Sequence, residues 1–414
     1  MATERPDLFE LTDDQRELLE RNRLREEALL SPHATHSNQA IYERPDVLTD
    51  VDACLRPAFV RDVDRILNNA FYNRCMDKTQ VFPFFRNDDL SRRSFHLQLV
   101  AQISLKIGRA LGLNTALIQA IALGHDLGHT PFGHGGERML DTLLFTHTDA
   151  PGIPGRHFSH NVQSVRLLRQ ISTSNLSLQT YNGILSHCGE KAFAKYEPRP
   201  CDTFADLDAM MADCYCSFSN SQLLRPSTLE GCVVRICDIL AYLGKDRQDA
   251  VSIGVLDESE YRTDGEVVGA TNADYIRNTT LNLIKNSLGK SYLALDPEVF
   301  ESLMRIKDEN SRLIYQSKAA HARLDSIIEP MMTCIFERCL DDLHAGNEGA
   351  PIFRHHVHSW VMRYNSQYAE RNAPEVIVAD YIACMTDEYF IDLYNYLFPE
   401  QAVDKESLYH SYFE

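Results

Sequence analysis

The chain has 414 residues, of which 44% are hydrophobic and 24% charged, a composition typical of a globular protein with one large domain or two to three ordinary ones. Its formal net charge of −18 at pH 7 repels nucleic acid and anionic membranes, so a phosphate-bearing ligand would need a local positive centre. No apolar run has transmembrane length, the N-terminus is not a signal peptide, and the eleven cysteines are typical of reduced thiols, so we expect a cytoplasmic protein without membrane contact.

The first 55 residues are charged and predict a peripheral helical arm without visible chemistry. Residues 56–82 carry apolar side chains at helical spacing, which predicts one amphipathic helix ending near Gln80. We expect a core over residues 56–260 and a C-terminal helical region over 261–414 packed on it. Strand-like alternation is scarce throughout, so the predicted fold class is all-α.

Two consecutive helices carry histidines on their apolar faces. The first, over residues 94–111, is closed by Gly112 and places His96 on its apolar stripe. The second follows Asn114, a residue type that caps helix N-termini, and ends with His125 on its own apolar stripe. Antiparallel packing through a short loop would set the start of the first helix beside the end of the second. We therefore expect His96 and His125 to meet.

The densest run of reactive side chains is AIALGHDLGHTPFGHGGERML, at residues 120–140. Asp126 directly follows His125, and a turn rich in glycine and proline adds His129, His134 and Glu137. Each residue alone fits a cap or a satisfied core histidine, but three histidines and two carboxylates in so short a stretch indicate a site. Glu137 can hold the His134 imidazole in one tautomer, so that the ring donates or accepts a proton.

Less specific signals follow along the chain. His160 and Asn161 stand near the start of the helix FSHNVQSVRLLRQ, where they either bind an anion or simply cap the helix. We expect His187 either to be structural or to contact the site residues without touching a ligand itself. Residues 192–226 predict an irregular surface excursion, and the following Ser-Thr-Leu-Glu at 227–230 predicts a capping box.

The helix CVVRICDILAYLGKDRQDA carries Asp238 in nearly all-apolar surroundings, where a carboxylate is unfavourable unless it is paired or binds a cation. Tyr242 and Asp246 follow at one and two turns, on the same face. The histidines at 355, 356 and 358 come without a matching carboxylate, which favours a solvated helix end over a metal site.

His96, His125, Asp126 and Asp238 come from three helices and form the candidate metal site. Two imidazoles and two carboxylates suit a borderline to hard divalent ion, which could be Mn, Fe, Co, Ni, Zn or Mg. Such an ion lowers the pKa of bound water and polarises a phosphoryl group.

The order H…HD…D on consecutive helices resembles the HD-domain metal-dependent phosphohydrolases. Longer blocks are more specific and resemble the dGTPase family of deoxynucleoside-triphosphate triphosphohydrolases; between residues 56 and 398 they are DVDRILNNAFYNRCMDKTQVF, RRSFH, HDLGHTPFGHGGE, FSHNVQS, CDILAYLGKD and ADYIACMTDEYF. The resemblance implies an HD-domain helical bundle, a homo-oligomer, and the same four metal ligands. It also implies water attack on the α-phosphorus of a deoxynucleoside triphosphate, giving the deoxynucleoside and tripolyphosphate.

The resemblance further assigns roles around the phosphates. His134 and Glu137 match the catalytic pair that acts at the α-phosphate. His129 and His160 match histidines that line the phosphate site in some members, and Arg93 matches an arginine that meets phosphate.

For the sugar, Gln80 and Asp246 match groups that contact the 3′-hydroxyl, and Tyr242 matches a ring packed on the deoxyribose that leaves no room for a 2′-hydroxyl. The main alternative is another HD-domain nucleotide phosphohydrolase, for example a deoxynucleoside monophosphate 5′-phosphatase. A third hypothesis, a nucleic-acid-binding regulator with a degenerate site, is disfavoured by the acidic balance and the intact ligand set.

Overall fold

Helices make up nearly all of the regular structure, which confirms the all-α prediction. The computed structural model describes residues 11–45, 54–149, 151, 155–188, 192–261, 267–317, 324–360, 362 and 365–410. One short antiparallel pair joins β1 (Lys195–Tyr196) to β2 (Leu293–Ala294), with Lys195 opposite Ala294.

The α-helices are α1 Asp13–Ala28, α2 Ala58–Leu67, α3 Ala70–Arg74, α4 Arg93–Leu111, α5 Thr115–Gly124, α6 Gly133–Thr148, α7 His160–Arg166, α8 Leu178–Leu185, α9 Phe204–Cys216, α10 Phe218–Leu223, α11 Leu229–Ser252, α12 Asn272–Ser287, α13 Pro297–Asn310, α14 Glu329–His344, α15 Tyr368–Arg371, α16 Pro374–Ala383, α17 Asp387–Leu397 and α18 Lys405–Leu408. Short 3₁₀ turns cover Ser37–Gln39, Glu258–Glu260 and Pro399–Gln401, and π-helical turns cover Leu167–Ile171, Ser311–Tyr315, Leu324–Ile328 and Phe353–Val357.

The α4–α5 hairpin forms the centre of the fold, packed against α2 and α11. Gly112 ends α4 with a φ of +68°, a conformation that glycine adopts without a steric penalty. The Asn114 side chain then accepts hydrogen bonds from the first backbone N–H groups of α5. The turn brings the His96 and His125 rings within 5.5 Å of each other, as the paired apolar stripes predict.

Helix α11 is fastened at its N-terminal end by Glu230. Thr228 caps the helix by accepting from the N–H of Gly231 at 3.1 Å. The capping box predicted at residues 227–230 is wrong, because the buried Glu230 carboxylate instead accepts from the backbone N–H groups of Thr35 and Asn114, at 2.9 and 3.0 Å. A single carboxylate thus connects α11 to the segment after α1 and to the start of α5.

The N-terminal arm contains α1, on which no residue is buried, followed by a segment that returns to the core. There the hydroxyl of Tyr42 donates to the carbonyl of Ala58 at 2.7 Å, at the start of α2. The arm's residues 1–10 and 46–53 lie outside the described residues, and the divisions at residues 55 and 260 stay expectations.

Two predicted segments differ from the structure. The helix expected over 56–82 stops at Leu67, because Asn69 caps a new helix by accepting from the N–H of Phe71. Residues 192–226, expected to be irregular, contain α9 and α10. The start of α9 is a capping box between Thr203 and Asp206, a local signal that outweighs the prolines on either side.

The C-terminal helices pack on the core, with α12 against α4 and α11, and α14 and α16 against α6. Arg166, at the end of α7, and Asp380, on α16, form a buried two-point ion pair at 2.6 and 2.7 Å. His355 and His358 are exposed, as the predicted solvated helix end requires. That prediction is wrong for His356, which is buried with its Nε2 3.0 Å from the Tyr368 hydroxyl. Across the described ranges, we find no helix with the length and apolar character to cross a membrane.

Candidate metal centre

Three helices bring the four predicted metal ligands together. Helix α4 contributes His96, α11 contributes Asp238, and the residues directly after α5 are His125 and Asp126. His96 Nε2 lies 3.0 Å from Asp238 Oδ1. His125 Nε2 lies 3.6 Å from Asp126 Oδ1 and 3.7 Å from Asp238 Oδ1. These imidazole nitrogens and carboxylate oxygens therefore converge on one buried point.

The hydrogen bonding of His125 tests whether this cluster fits a cation. Its Nδ1 lies 2.8 Å from the carbonyl oxygen of Ala122, which can only accept, so Nδ1 donates there and Nε2 is left facing the two carboxylates. Although buried, Nε2 makes no hydrogen bond with any described residue. A buried imidazole nitrogen that converges with two carboxylates is the donor arrangement of a divalent metal ion, so the residues present fit one.

The electrostatics keep the two carboxylates ionised. Burial favours the neutral carboxyl of Asp126, but His125 and the Arg93 guanidinium outweigh it and hold the pKa well below the usual range. Burial likewise opposes ionisation of Asp238, and the adjacent imidazoles of His125 and His96 outweigh it and lower its pKa. Ionised carboxylates are the form that binds a metal.

A second cluster lies at the start of α6. Phe132 and Gly133 adopt φ values of +62° and +58°, and this left-handed turn begins the helix with His134 in its first turn. Glu137 Oε2 lies 3.0 Å from His134 Nδ1, and Oε1 lies 2.8 Å from His160 Nδ1. Glu137 is fully enclosed, whereas the His134 side chain is 55% exposed. Glu137 thus orients two imidazoles, one of which faces open space.

His129 lies between the two clusters. Its ring stacks on His160 with centroids 4.0 Å apart, and its Nε2 is 3.7 Å from Asp126 Oδ1. Burial lowers the pKa of His129 well below the usual range, which favours the neutral ring. Lys78 Nζ donates to the carbonyls of His129 and Ala383 and so fixes the backbone at this turn, a role that the sequence did not reveal.

Arg93 is buried beneath the metal cluster. Its guanidinium donates to Asp126 Oδ2 and, at 3.3 Å, to the carbonyls of Thr79 and Gln80. The resemblance implied a phosphate contact for Arg93; the structure places it on the wall of the cavity, with Asp126 as its charged partner.

A cavity of about 480 Å³ opens over both clusters. The predicted site residues that line it are Gln80, Arg93, His96, Asp126, His129, His134, His160, Asp238, Tyr242 and Asp246. His125 and Glu137 are buried behind this wall. Residues that sequence analysis did not place there are Val81, Arg138, Cys188, Gln222, Lys307, Asp308, Ser311, Tyr315 and Gln316. A separate cavity of about 610 Å³ between α1 and α2 contains none of the predicted site residues.

The residues predicted to contact a sugar lie together on one side of the cavity. The Tyr315 hydroxyl donates to Asp246 Oδ2 at 2.6 Å, and the Tyr242 and Tyr315 rings meet edge to face, with centroids 6.3 Å apart. Burial raises the pKa of Asp246 to about 7, and the Tyr315 hydrogen bond opposes that rise. Gln80 Oε1 is buried and makes no hydrogen bond with a described residue.

Two more residues adjoin the metal cluster. His187 Nε2 lies 3.4 Å from Asp126 Oδ1, and the Cys188 thiol lies 3.3 Å from His160 Nε2. Sequence analysis left His187 as structural or supporting and did not single out Cys188. Their only sequence signal is a His-Cys step directly after the apolar end of α8.

Comparisons with known proteins show the family of the chain. The HD domain family model matches residues 93–243. A deoxyguanosinetriphosphate triphosphohydrolase-like protein of Caldanaerobacter subterraneus is 30% identical, over 89% of this chain and 92% of that protein. One of the same name from Desulfatibacillum aliphaticivorans is 29% identical, over 90% and 96%. A solved phosphohydrolase of Bacteroides thetaiotaomicron aligns over 83% of this chain and 70% of that chain, with 16% identity and a TM-score of 0.40, too weak a likeness to bear on function. The chain belongs to the deoxyguanosinetriphosphate triphosphohydrolase-like family of HD-domain proteins.

Proposed function

We propose that the protein is a metal-dependent hydrolase that converts deoxynucleoside triphosphates, either dGTP or several of them, to the deoxynucleoside and tripolyphosphate. The observation that carries the proposal is the buried His125 Nε2, which makes no hydrogen bond with a described residue and lies near Asp126 and Asp238 beside a cavity lined by His134. The names of the relatives support the same substrate class.

In this proposal His96, His125, Asp126 and Asp238 hold the divalent ion. When bound, the ion polarises a phosphoryl oxygen and lowers the pKa of water. His134, held through Nδ1 by Glu137, presents its other nitrogen to the cavity and donates a proton to the 5′-oxygen as the bond to the α-phosphorus breaks. His129 and His160 line the phosphate path beside it.

The sugar lies along α11 in the same proposal. The Tyr242 ring packs on the deoxyribose, where a 2′-hydroxyl would collide with it. Asp246 and Gln80 receive the 3′-hydroxyl, and the buried Gln80 Oε1 is an acceptor that the described residues leave without a hydrogen bond. Arg93 supplies positive charge next to Asp126 at the phosphate end.

The alternative is a deoxynucleoside monophosphate 5′-phosphatase, which would use the same sugar pocket. Two cationic side chains, Arg138 and Lys307, line the cavity as well, and phosphates beyond the α position need such partners. This favours the triphosphate. A regulator that binds nucleic acid is disfavoured by the net charge of −18.

We also propose a cytoplasmic homo-oligomer. All eleven cysteines are free thiols, as in a reducing compartment. The oligomer rests on the family resemblance, and light scattering of the purified protein tests it.

The decisive experiment incubates the purified protein with each of the four deoxynucleoside triphosphates and with Mn, Fe, Co, Ni, Zn or Mg, and identifies the products by chromatography. We expect deoxynucleoside and intact tripolyphosphate, and in ¹⁸O-labelled water the label should enter tripolyphosphate. His125→Ala serves as the inactive control. Pyrophosphate with a monophosphate, or orthophosphate with a diphosphate, would contradict the proposed cleavage. Turnover of monophosphates alone would establish the alternative.

A further inference from the structure

The active-site turn, residues 129–134, depends on contacts from outside its own sequence. It carries His129 and His134 and contains Phe132, whose φ of +62° is unfavourable for a residue with a Cβ atom. Phe132 also occupies the N-cap position of α6 and cannot cap that helix with its own side chain. The backbone conformation that places His134 in the first turn of α6 is therefore held by other parts of the chain.

Asp387, the first residue of α17, supplies one of these contacts. Its Oδ1 accepts from the backbone N–H of Phe132 at 3.0 Å, and its Oδ2 accepts from that of Thr79 at 3.3 Å. All three residues are buried, so neither N–H has water as an alternative partner. Phe390, one turn further along α17, packs its ring against that of Phe132, with centroids 5.2 Å apart. Helix α17 thus holds the backbone of Phe132 and, through Thr79, the residue next to Gln80.

Lys78 holds the other end of the turn. Its buried ammonium donates to the carbonyl of His129 and, at 2.7 Å, to that of Ala383, the last residue of α16. Burial lowers the pKa of Lys78 to about 8, so the group still carries most of its charge at pH 7. A carbonyl at the end of a helix is a favourable partner for a cation. Because Lys78, Thr79 and Gln80 are consecutive, one short stretch of chain connects the cavity wall, the active-site turn and the junction of α16 with α17.

We propose that Lys78 and Asp387 are positioning residues, through which the junction of α16 and α17 sets the places of His134 and Gln80 together. Neither Lys78 nor Asp387 is among the described residues that line the cavity, so both act through the backbone that carries the site residues. The inference rests on the proposed function, because it assigns residues that act on the same cleavage. It also makes the C-terminal helices a working part of the active site.

Asp387→Asn tests the contact at α17. The variant keeps the shape of the side chain, but an amide has a single acceptor oxygen, so one of the two backbone N–H groups then faces an NH₂ group. We expect kcat to fall about 10- to 100-fold with metal content unchanged, the effect of a misplaced reactive group. The kcat/KM ratio between deoxy and dideoxy substrates should narrow as well, because Gln80 shifts with Thr79. Asp392→Asn, at an exposed carboxylate of the same helix, is the matched control and should match the wild type.

Lys78→Met tests the contact at α16. The variant fills a similar volume but leaves the carbonyls of His129 and Ala383 without their donor, so kcat should fall by a similar factor. Arg74→Gln is the matched control, because Arg74 donates to the neighbouring carbonyl of Cys384 at 2.8 Å and not to the turn.

Hydrogen–deuterium exchange read by mass spectrometry adds a measurement that needs no substrate. Peptides that cover residues 129–134 should exchange about 2- to 10-fold faster in Asp387→Asn and Lys78→Met, the effect of one lost hydrogen bond. The same peptides should keep the wild-type rate in the two control variants.

Normal kcat in Asp387→Asn would overturn the proposal, whatever the exchange rates show. A loss of kcat that is equal for deoxy and dideoxy substrates, with faster exchange throughout the chain, would overturn it too, since that result indicates a less stable fold. If Lys78→Met fails to fold, Asp387→Asn decides alone. A wild-type protein that releases no deoxynucleoside from any triphosphate would overturn the proposed function, while the exchange rates would still decide whether Lys78 and Asp387 hold the turn.

Discussion

The hydroxyl of Tyr315 lies 2.6 Å from Asp246 Oδ2, across the wall of the cavity. Tyr315 ends the π-helical turn after α13, while Asp246 lies two turns beyond Asp238 on α11. The C-terminal region therefore supplies a group that orients the carboxyl proposed to receive the sugar 3′-hydroxyl.

The first prediction concerns sugar selectivity. We expect deoxynucleoside triphosphates to be cleaved far better than ribonucleoside triphosphates, and 2′,3′-dideoxy analogues to be poor substrates. An unpaired buried polar partner lowers transition-state binding by about 1–3 kcal/mol, or roughly 5- to 150-fold in kcat/KM. Tyr242→Ala should narrow the deoxy-to-ribo ratio, and Asp246→Ala should weaken the 3′-hydroxyl requirement. The measurement is kcat/KM for one base in its three sugar forms, with metal content as the control. Equal turnover of deoxy and ribo forms by the wild type would rule out this sugar pocket.

The second prediction concerns stability and pH. Burial raises the pKa of Asp246 to about 7 in the folded chain, with Asp249 adding to the rise and Tyr315, His134 and Arg93 opposing it. An unfolded Asp titrates near 3.9, so the folded state binds the extra proton between about pH 4 and 7. This contribution to the free energy of unfolding is complete below about pH 4 and is lost as the pH rises through 7.

The loss should reach about 1.4 kcal/mol per pH unit at most. Urea unfolding midpoints of metal-free protein between pH 4 and 8 measure it, and Asp246→Asn should flatten the curve. Asp308→Asn, at another carboxylate of the cavity wall, is the matched control. Parallel pH curves for wild type and Asp246→Asn would contradict the raised pKa.

The third prediction concerns the metal. His125→Ala or Asp238→Asn should weaken binding of the divalent ion about 100-fold or more, because each removes a donor at the convergence point. Activity should fall with metal content, while the helical circular dichroism spectrum stays. His358→Ala, which removes an exposed histidine, should match the wild type in metal content. A variant with full metal content and normal turnover would exclude the residue as a ligand.

The fourth prediction separates chemistry from binding. Glu137→Gln keeps an oxygen that can accept from the His160 N–H but removes the charge that orients His134. We expect kcat to fall about 10²- to 10⁴-fold with KM and metal content nearly unchanged, the magnitude of a lost general acid. His134→Ala should lower kcat by as much, and the double variant should lower it little further, because the two residues act as a unit. Additive losses would show that they act independently.

Local spacing predicted much of this site, and long-range packing decided the rest. The apolar stripes of α4 and α5 predicted that His96 and His125 meet, and the one-turn steps on α11 predicted that Tyr242 and Asp246 share a face; the structure has both. Tyr315 reaches the cavity from a turn some 70 residues away, with no periodic signal to mark it.

Sequence analysis missed Lys78 and Cys188 and left His187 as structural or supporting, for a related reason. Each stands in a loop or just past a helix end, where neither hydrophobic period nor motif spacing applies. Only tertiary packing brings Lys78 to His129, His187 to Asp126 and Cys188 to His160. The two segments that were predicted wrongly each contain a capping residue that sequence analysis did not use. Asn69 caps a new helix at a position where the apolar spacing predicted one continuous helix. Thr203 caps a helix in a segment whose prolines predicted irregular structure.

Helix α11 fixes the distances between three of the proposed site residues. Asp238, Tyr242 and Asp246 stand four residues apart, and each step of four residues advances about 6 Å along a rigid rod. In the proposed function, the phosphate, the sugar ring and the 3′-oxygen of the substrate would therefore all be positioned by a single helix instead of three independent loops. A shift or tilt of α11 would displace all three side chains at once. Substitutions at Glu230, which fastens its first turn to Thr35 and Asn114, should therefore change metal affinity and sugar selectivity together, although Glu230 touches neither.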